Sequence, residues 1–135
     1  MSEALMVEAV LANLDQVSDY VNESLEQLGC PMKTIFQVDV AVDELFSNIC
    51  FYAYPEGPGD AVIRVEKTDN GYVCITFEDS GVPFNPLRQE EPDVSLSLAE
   101  RSIGGLGIFM VKKSMDDVRY VYEDGKNKLS IYKEI

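Results

Sequence analysis

Three short groups in this chain have residue types and spacings that could do chemistry. Glu44 and Asn48 stand four apart in a helical pattern, so they share one ridge, one turn apart. An amide oxygen is a hard ligand suited to Mg²⁺, and a carboxylate one turn away can orient or deprotonate a nucleophile beside that ion. Asp79-Ser80-Gly81 ends a strand pattern. There a carboxylate can accept a hydrogen bond from an exocyclic amine, and a glycine permits close backbone approach. Gly104-Gly105-Leu106-Gly107 opens a helix pattern, where unscreened N–H groups at the positive end of a helix dipole can hold phosphate oxygens. Each group also has a plainer reading: a solvated helix face, a turn, and a hinge with tight helix packing. The glycines match neither the P-loop, since no Gly-Lys-Ser/Thr follows, nor the dinucleotide fingerprint, since no parallel βαβ unit surrounds them.

Composition narrows the chemistry further. The chain has 135 residues and no histidine, which excludes Ser-His-Asp and Cys-His nucleophile pairs and His-zinc motifs. A general base would have to be a carboxylate, a Lys or a Tyr. With 11 Lys and Arg against 24 Asp and Glu, the formal charge is −13; such a surface repels phosphate backbones and anionic lipid, so neither a direct nucleic-acid partner nor a membrane partner is expected. A bound nucleotide would rest on backbone N–H groups and a divalent cation. Cys30, Cys50 and Cys74 are odd in number and form no Cys-x-x-Cys, and read as buried thiols in a reduced compartment. No basic leader precedes an apolar run, and no run reaches the ~18 apolar residues of a membrane span, so a cytoplasmic protein is expected.

Elements to position the three groups can be read along the chain. Leu5 to Val10 reads as an opening strand, with Asn13 to Asp15 offering helix caps. Val17, Tyr20, Val21, Leu25 and Leu28 mark an amphipathic helix, which Gly29 and Pro31 end. From Lys33 to Tyr54 a second helix is apolar almost all round, as expected of one sandwiched in a core, with Gln37, Ala41, Glu44, Asn48 and Tyr52 in one stripe. Strands over 61–66 and 72–77 flank an Asn70-Gly71 hairpin turn, and strands over 118–122 and 128–132 flank a loop over Glu123–Asn127. Between them, 82–102 is rich in prolines and acids and longer than most connections. This order predicts an α+β two-layer sandwich, with helices on one face of a largely antiparallel sheet, in a single domain over 1–135.

Taken in order, Glu44-x-x-x-Asn48, Asp79-x-Gly81 and Gly105-x-Gly107 resemble the three conserved boxes of the GHKL, or Bergerat-fold, ATPases, the superfamily of gyrase and the sensor histidine kinases. Asp43-Glu44-Leu45-Phe46-Ser47-Asn48, Asp79-Ser80-Gly81-Val82-Pro83-Phe84-Asn85-Pro86, Gly104 to Met110 and Met115-Asp116-Asp117-Val118 look like the smaller anti-sigma-factor serine kinases of bacteria. The resemblance covers nearly the whole chain. It implies Glu44 as general base, Asn48 as Mg²⁺ ligand, Asp79 as adenine partner with Gly81 beside it, and Gly104, Gly105, Leu106 and Gly107 on the phosphate side. It also implies an ATP lid over 82–103 and Arg101 facing the terminal phosphate. Tyr52 departs from the pattern, standing where the family often has His or another basic residue; a tyrosine still hydrogen-bonds but carries no positive charge at neutral pH.

Two functions follow as expectations. The first is a Mg-ATP-dependent serine/threonine protein kinase acting as an anti-sigma factor, which phosphorylates an anti-anti-sigma partner and reversibly sequesters a sigma factor. The second is a non-catalytic, nucleotide-dependent regulatory module that holds a partner by surface contact. Both Glu44 and Asn48 are present, which favours the first, because a pure binder has no use for a base. Dimers are common among the kinases it resembles, and the sequence leaves homodimerisation and the partner's identity open.

Overall fold

The computed structural model describes residues 3–88 and 103–135. Strand β1 (Leu5–Glu8) leads through a 3-10 turn at Leu11–Asn13 into helix α1 (Leu14–Gln27). Asn13 was expected as a cap, but its side-chain amide donates to the Glu8 carbonyl at 2.9 Å instead, tying the helix start to the strand. Gly29, at φ 80°, closes α1 in the left-handed conformation that glycine adopts at no steric cost. Pro31 then starts helix α2 (Met32–Tyr52). Strands β2 (Asp60–Lys67) and β3 (Tyr72–Asp79), helix α3 (Ile103–Ser114) and strands β4 (Asp117–Glu123) and β5 (Lys126–Glu134) follow.

The five strands form one sheet in the order β1-β2-β3-β5-β4, every neighbouring pair antiparallel. Alternation decides its faces. Ile63, Val65, Ile75, Phe77, Leu129 and Ile131 turn inward and join Val17, Val21 and Leu25 of α1, Val38, Val42, Leu45 and Phe46 of α2, and Ile108 and Val111 of α3 in one apolar core. The opposite face is polar: Thr76 and Ser130 share a hydroxyl hydrogen bond of 2.9 Å, and Arg64 lies 3.9 Å from Glu78. The α+β two-layer sandwich read from the sequence is therefore the observed fold.

Two local expectations need correction. Helix α2 is not sandwiched: Met32, Phe36 and Val40, four apart, form an exposed apolar stripe at 72%, 70% and 53% accessibility. An all-apolar pattern cannot say which side of a helix is covered. The last hairpin turns on two residues rather than five, with Asp124 at φ 56° and Gly125 at φ 74°. Two consecutive positive φ values make the tight turn whose twist matches that of the flanking strands. Both strands lengthen accordingly, and Asn127, read as a loop residue, falls inside β5 opposite Asp79.

Of the expected lid over 82–103, the part from Val82 to the short 3-10 turn Pro86–Arg88 and the first residue of α3 are described. Residues 89–102, Arg101 among them, lie outside the described residues.

Phe46 is fully buried where α2 meets the sheet. Phe46→Ala should cost about 3–5 kcal/mol of unfolding free energy, as for other buried aromatic truncations, read as a lower midpoint in urea denaturation.

Candidate functional site

The site is built where the end of α2, the end of β3 and the start of β5 converge. The Tyr54 hydroxyl donates to the Asp60 carbonyl at 2.6 Å and accepts the Ser80 N–H at 2.8 Å, so one phenol joins the exit of α2, the start of β2 and the end of β3. Beside it the Val82 N–H donates to the Ala53 carbonyl at 2.9 Å. That approach needs a glycine at position 81, because a Cβ there would overlap the Ala53 carbonyl.

A cleft opens next to this junction. Leu45, Ile49, Phe77 and Leu129 give it apolar walls, Val82, Phe84 and Pro86 cover one side, and Asn48, Asp79, Tyr120 and Asn127 are its polar groups. An apolar slot with a few convergent polar groups is the usual form of a small-molecule site. Tyr52 is half exposed at the rim, its ring 5.8 Å from that of Phe84. Asp79 is 7% exposed, and its Oδ1 accepts hydrogen bonds from the Gly81 N–H and from Asn127 Nδ2, both at 2.9 Å. Burial pushes its carboxyl above the ordinary value of 3.8, while those two bonds pull the other way. Asn127 was not among the residues singled out from the sequence. The signal that could have found it is Asp124-Gly125: a two-residue turn places Asn127 in the strand, whereas a five-residue loop does not.

Glu44 lies one turn before Asn48 on α2, where a second groove opens. It lines a groove with Val40, Asp43, Ser47 and Met110, and its carboxylate packs against Gly107 so closely that a Cβ there would overlap it. Burial raises the Glu44 carboxyl above 4.5, and a hydrogen bond from the Asn48 side chain opposes the rise. An ionised carboxylate only accepts, so Asn48 Nδ2 is the donor in that contact. The helical ridge therefore spans two sites: Asn48 faces the cleft that holds Asp79, and Glu44 faces α3.

Gly104, Gly105 and Leu106 fall in the first turn of α3, where backbone N–H groups have no partner within the helix. Gly107 lies deeper, where an N–H bonds the carbonyl four residues back. Its lack of a side chain serves the close approach of Glu44. The structure thus brings Asn48, Asp79 and Asn127 together, links Glu44 to them through Asn48, and sets Gly107 against Glu44.

Comparison with known proteins gives the family of the chain. Residues 7–133 match the family described as the histidine kinase-like ATPase domain. The chain belongs to that family. Among its relatives are the serine/threonine-protein kinase BtrW of Bordetella bronchiseptica, 25% identical over 71% of this chain and 68% of that protein, and the serine-protein kinase RsbW of Bacillus thuringiensis, 28% identical over 76% of this chain and 66% of that protein. The second alignment thus falls just short of two thirds of the relative's length. Among solved structures, the RsbU and RsbW domains of Rv1364c from Mycobacterium tuberculosis superpose with a TM-score of 0.65 at 14% identity, covering 98% of this chain and 32% of that one. The mycobacterial sensor histidine kinase MprB superposes at 0.54 with 16% identity, over 97% and 100% of the two chains. Among the described residues, no helix is long and apolar enough to cross a membrane.

The raised Asp79 carboxyl has a sign that can be tested. A carboxyl with a higher pKa folded than unfolded makes its ionisation costly to the fold, and that cost sets in as pH rises from 3.8 through the raised value. Asp79→Asn keeps an acceptor for Gly81 and Asn127 but cannot ionise. The ligand-free variant should therefore melt higher than wild type at pH 7, and the difference should vanish as pH falls toward 3.8. Melting curves over pH 3.5–7.5 check this.

Proposed function

We propose that the chain is a Mg-ATP-dependent serine/threonine protein kinase of the anti-sigma type, which phosphorylates an anti-anti-sigma partner and reversibly sequesters a sigma factor. The observation that carries this reading is that Asn48 and Asp79 line one cleft, with the Glu44 carboxylate one turn from Asn48 on α2 and packed against Gly107 of α3. Family membership and the kinases named among its relatives support it.

The donor set fits a magnesium ion carried in by a nucleotide. Asn48 Oδ1 would supply one hard oxygen to that ion, beside the oxygens of the phosphates and water. Such an ion offsets charge on the transferred phosphoryl group. Each protein group then has a definite task. Asp79 accepts from the adenine amino group, a choice an acceptor-only carboxylate enforces against a carbonyl. Phe77, Leu129 and Ile49 exclude water from the base. The first-turn N–H groups of Gly104, Gly105 and Leu106 offer positive potential to phosphate oxygens without side-chain cations, in a chain of charge −13. Glu44 takes the proton from the partner's Ser or Thr hydroxyl at its carboxylate, reached through the groove beside α3 rather than through the base cleft.

The second reading, a non-catalytic nucleotide-dependent module, is favoured by one observation. Glu44 lies against α3 and outside the cleft, so the cleft can fill without engaging it. The two readings separate on the Glu44→Gln variant. Under the kinase reading Mg-ATP affinity, measured by calorimetry, should stay within a few-fold of wild type. Transfer of label from γ-labelled ATP to a co-purifying partner should fall by roughly 10²–10⁴-fold. Because the Glu44 carboxyl is raised, the wild-type rate should climb with pH through a value above 4.5, and the variant's residual rate should lose that limb. ATP binding with no transfer in wild type would select the second reading, and no heat with ATP, with or without Mg²⁺, would remove both.

Asn48→Ala should weaken Mg-ATP by more than ten-fold, about the worth of one lost charge-assisted ligand, while the melting temperature moves little. Equal losses of both would make Asn48 a structural residue.

A further inference from the structure

Asn127 is 6% exposed and spends its whole amide on the cleft. Nδ2 donates to Asp79 Oδ1 and to the Val82 carbonyl, both at 2.9 Å. Oδ1 accepts the Phe84 N–H at 3.1 Å and the Tyr120 hydroxyl. Two donors and two acceptor positions are the full capacity of a carboxamide. The neighbours also assign its orientation: reversing the amide would set its oxygen against a carboxylate and a carbonyl, and its NH₂ against a backbone N–H.

Two consequences follow for the cleft. Asp79 Oδ1 already takes two donors, from Asn127 and Gly81, which fixes the carboxylate plane and makes Oδ2 the oxygen offered to a ligand. The segment from Val82 to Phe84 is clipped to β5 at both its ends, holding Phe84 over the mouth of the cleft against Tyr52. No other residue type of this size does both. Aspartate would turn two attractive contacts into repulsive ones, and serine offers a single O–H donor where two are used.

We propose that Asn127 is the positioning residue that sets base selectivity in this cleft, by orienting Asp79 and by holding the Val82–Phe84 strap as the wall opposite the base. This rests on the nucleotide reading given above. A purely structural asparagine would change stability without changing which base is preferred, so the ratio of affinities for two bases is the decisive readout.

The experiment measures Mg-ATP and Mg-GTP dissociation constants by calorimetry for wild type, Asn127→Ala and Asn127→Ser, with melting temperatures alongside. Wild type should prefer ATP. Asn127→Ala should bind ATP at least ten-fold more weakly, with the ATP-to-GTP preference falling toward one. Asn127→Ser keeps one donor for Asp79 but cannot clip the strap; it should retain most of the preference while losing ATP affinity. If Asn127→Ala does not fold, the serine variant carries the test, and unchanged ATP affinity there would overturn the proposal. Wild-type ATP binding together with an unchanged preference in Asn127→Ala would overturn it while leaving the nucleotide reading intact. Absence of ATP binding in wild type would overturn the nucleotide reading itself, and this inference with it.

Discussion

The register between β3 and β5 is the constraint on which the candidate site depends. Antiparallel pairing sets Asp79 opposite Asn127 at the end of both strands, and a slip of one residue would turn either side chain to the other face. The tight turn at Asp124-Gly125 sets that register from one side. From the other, Ile75 and Phe77 of β3 and Leu129 and Ile131 of β5 must all face the core together. The same burial that stabilises the sheet thus places a carboxylate and a carboxamide within hydrogen-bonding distance at one end of two interior strands.

Helix α2 supplies the second half of the arrangement. Its inward face packs on the sheet through Val38, Val42, Leu45 and Phe46, which leaves Asn48 over the cleft and Glu44 rotated toward α3. The two side chains stand one turn apart, and the Asn48 amide opposes the rise that burial gives the Glu44 carboxyl. Gly107 completes the link, because α3 can lie close enough to hold the Glu44 carboxylate only where it has no Cβ.

Charge explains the economy of cationic groups. Against 24 acidic residues the chain has 11 basic ones, so a phosphate-bearing ligand would find positive potential chiefly in backbone N–H groups and in its own counter-ion. The buried Asp79 and the part-buried Glu44 respond to the same pressure. Asp79 and Glu44 have raised carboxyl pKa values because burial disfavours their charge, and in each the opposing influence among the described residues is a neighbouring amide donor.

The sequence by itself determined the order of elements, the two-layer α+β architecture and the spacing of Glu44, Asn48, Asp79 and the glycines, because these depend on local periodicity and turn chemistry. The absence of histidine likewise limited what a base could be. Only the tertiary structure decided which of those residues meet. Four-residue spacing put Glu44 and Asn48 on one ridge, but the direction of helix packing divided them between two spaces. The apolar pattern of α2 was legible, whereas the exposed face at Met32, Phe36 and Val40 was not, since exposure depends on where α1 and α3 stop covering it. Asp124-Gly125 could have put Asn127 in a strand but not beside Asp79, because that contact comes from a partner 48 residues away.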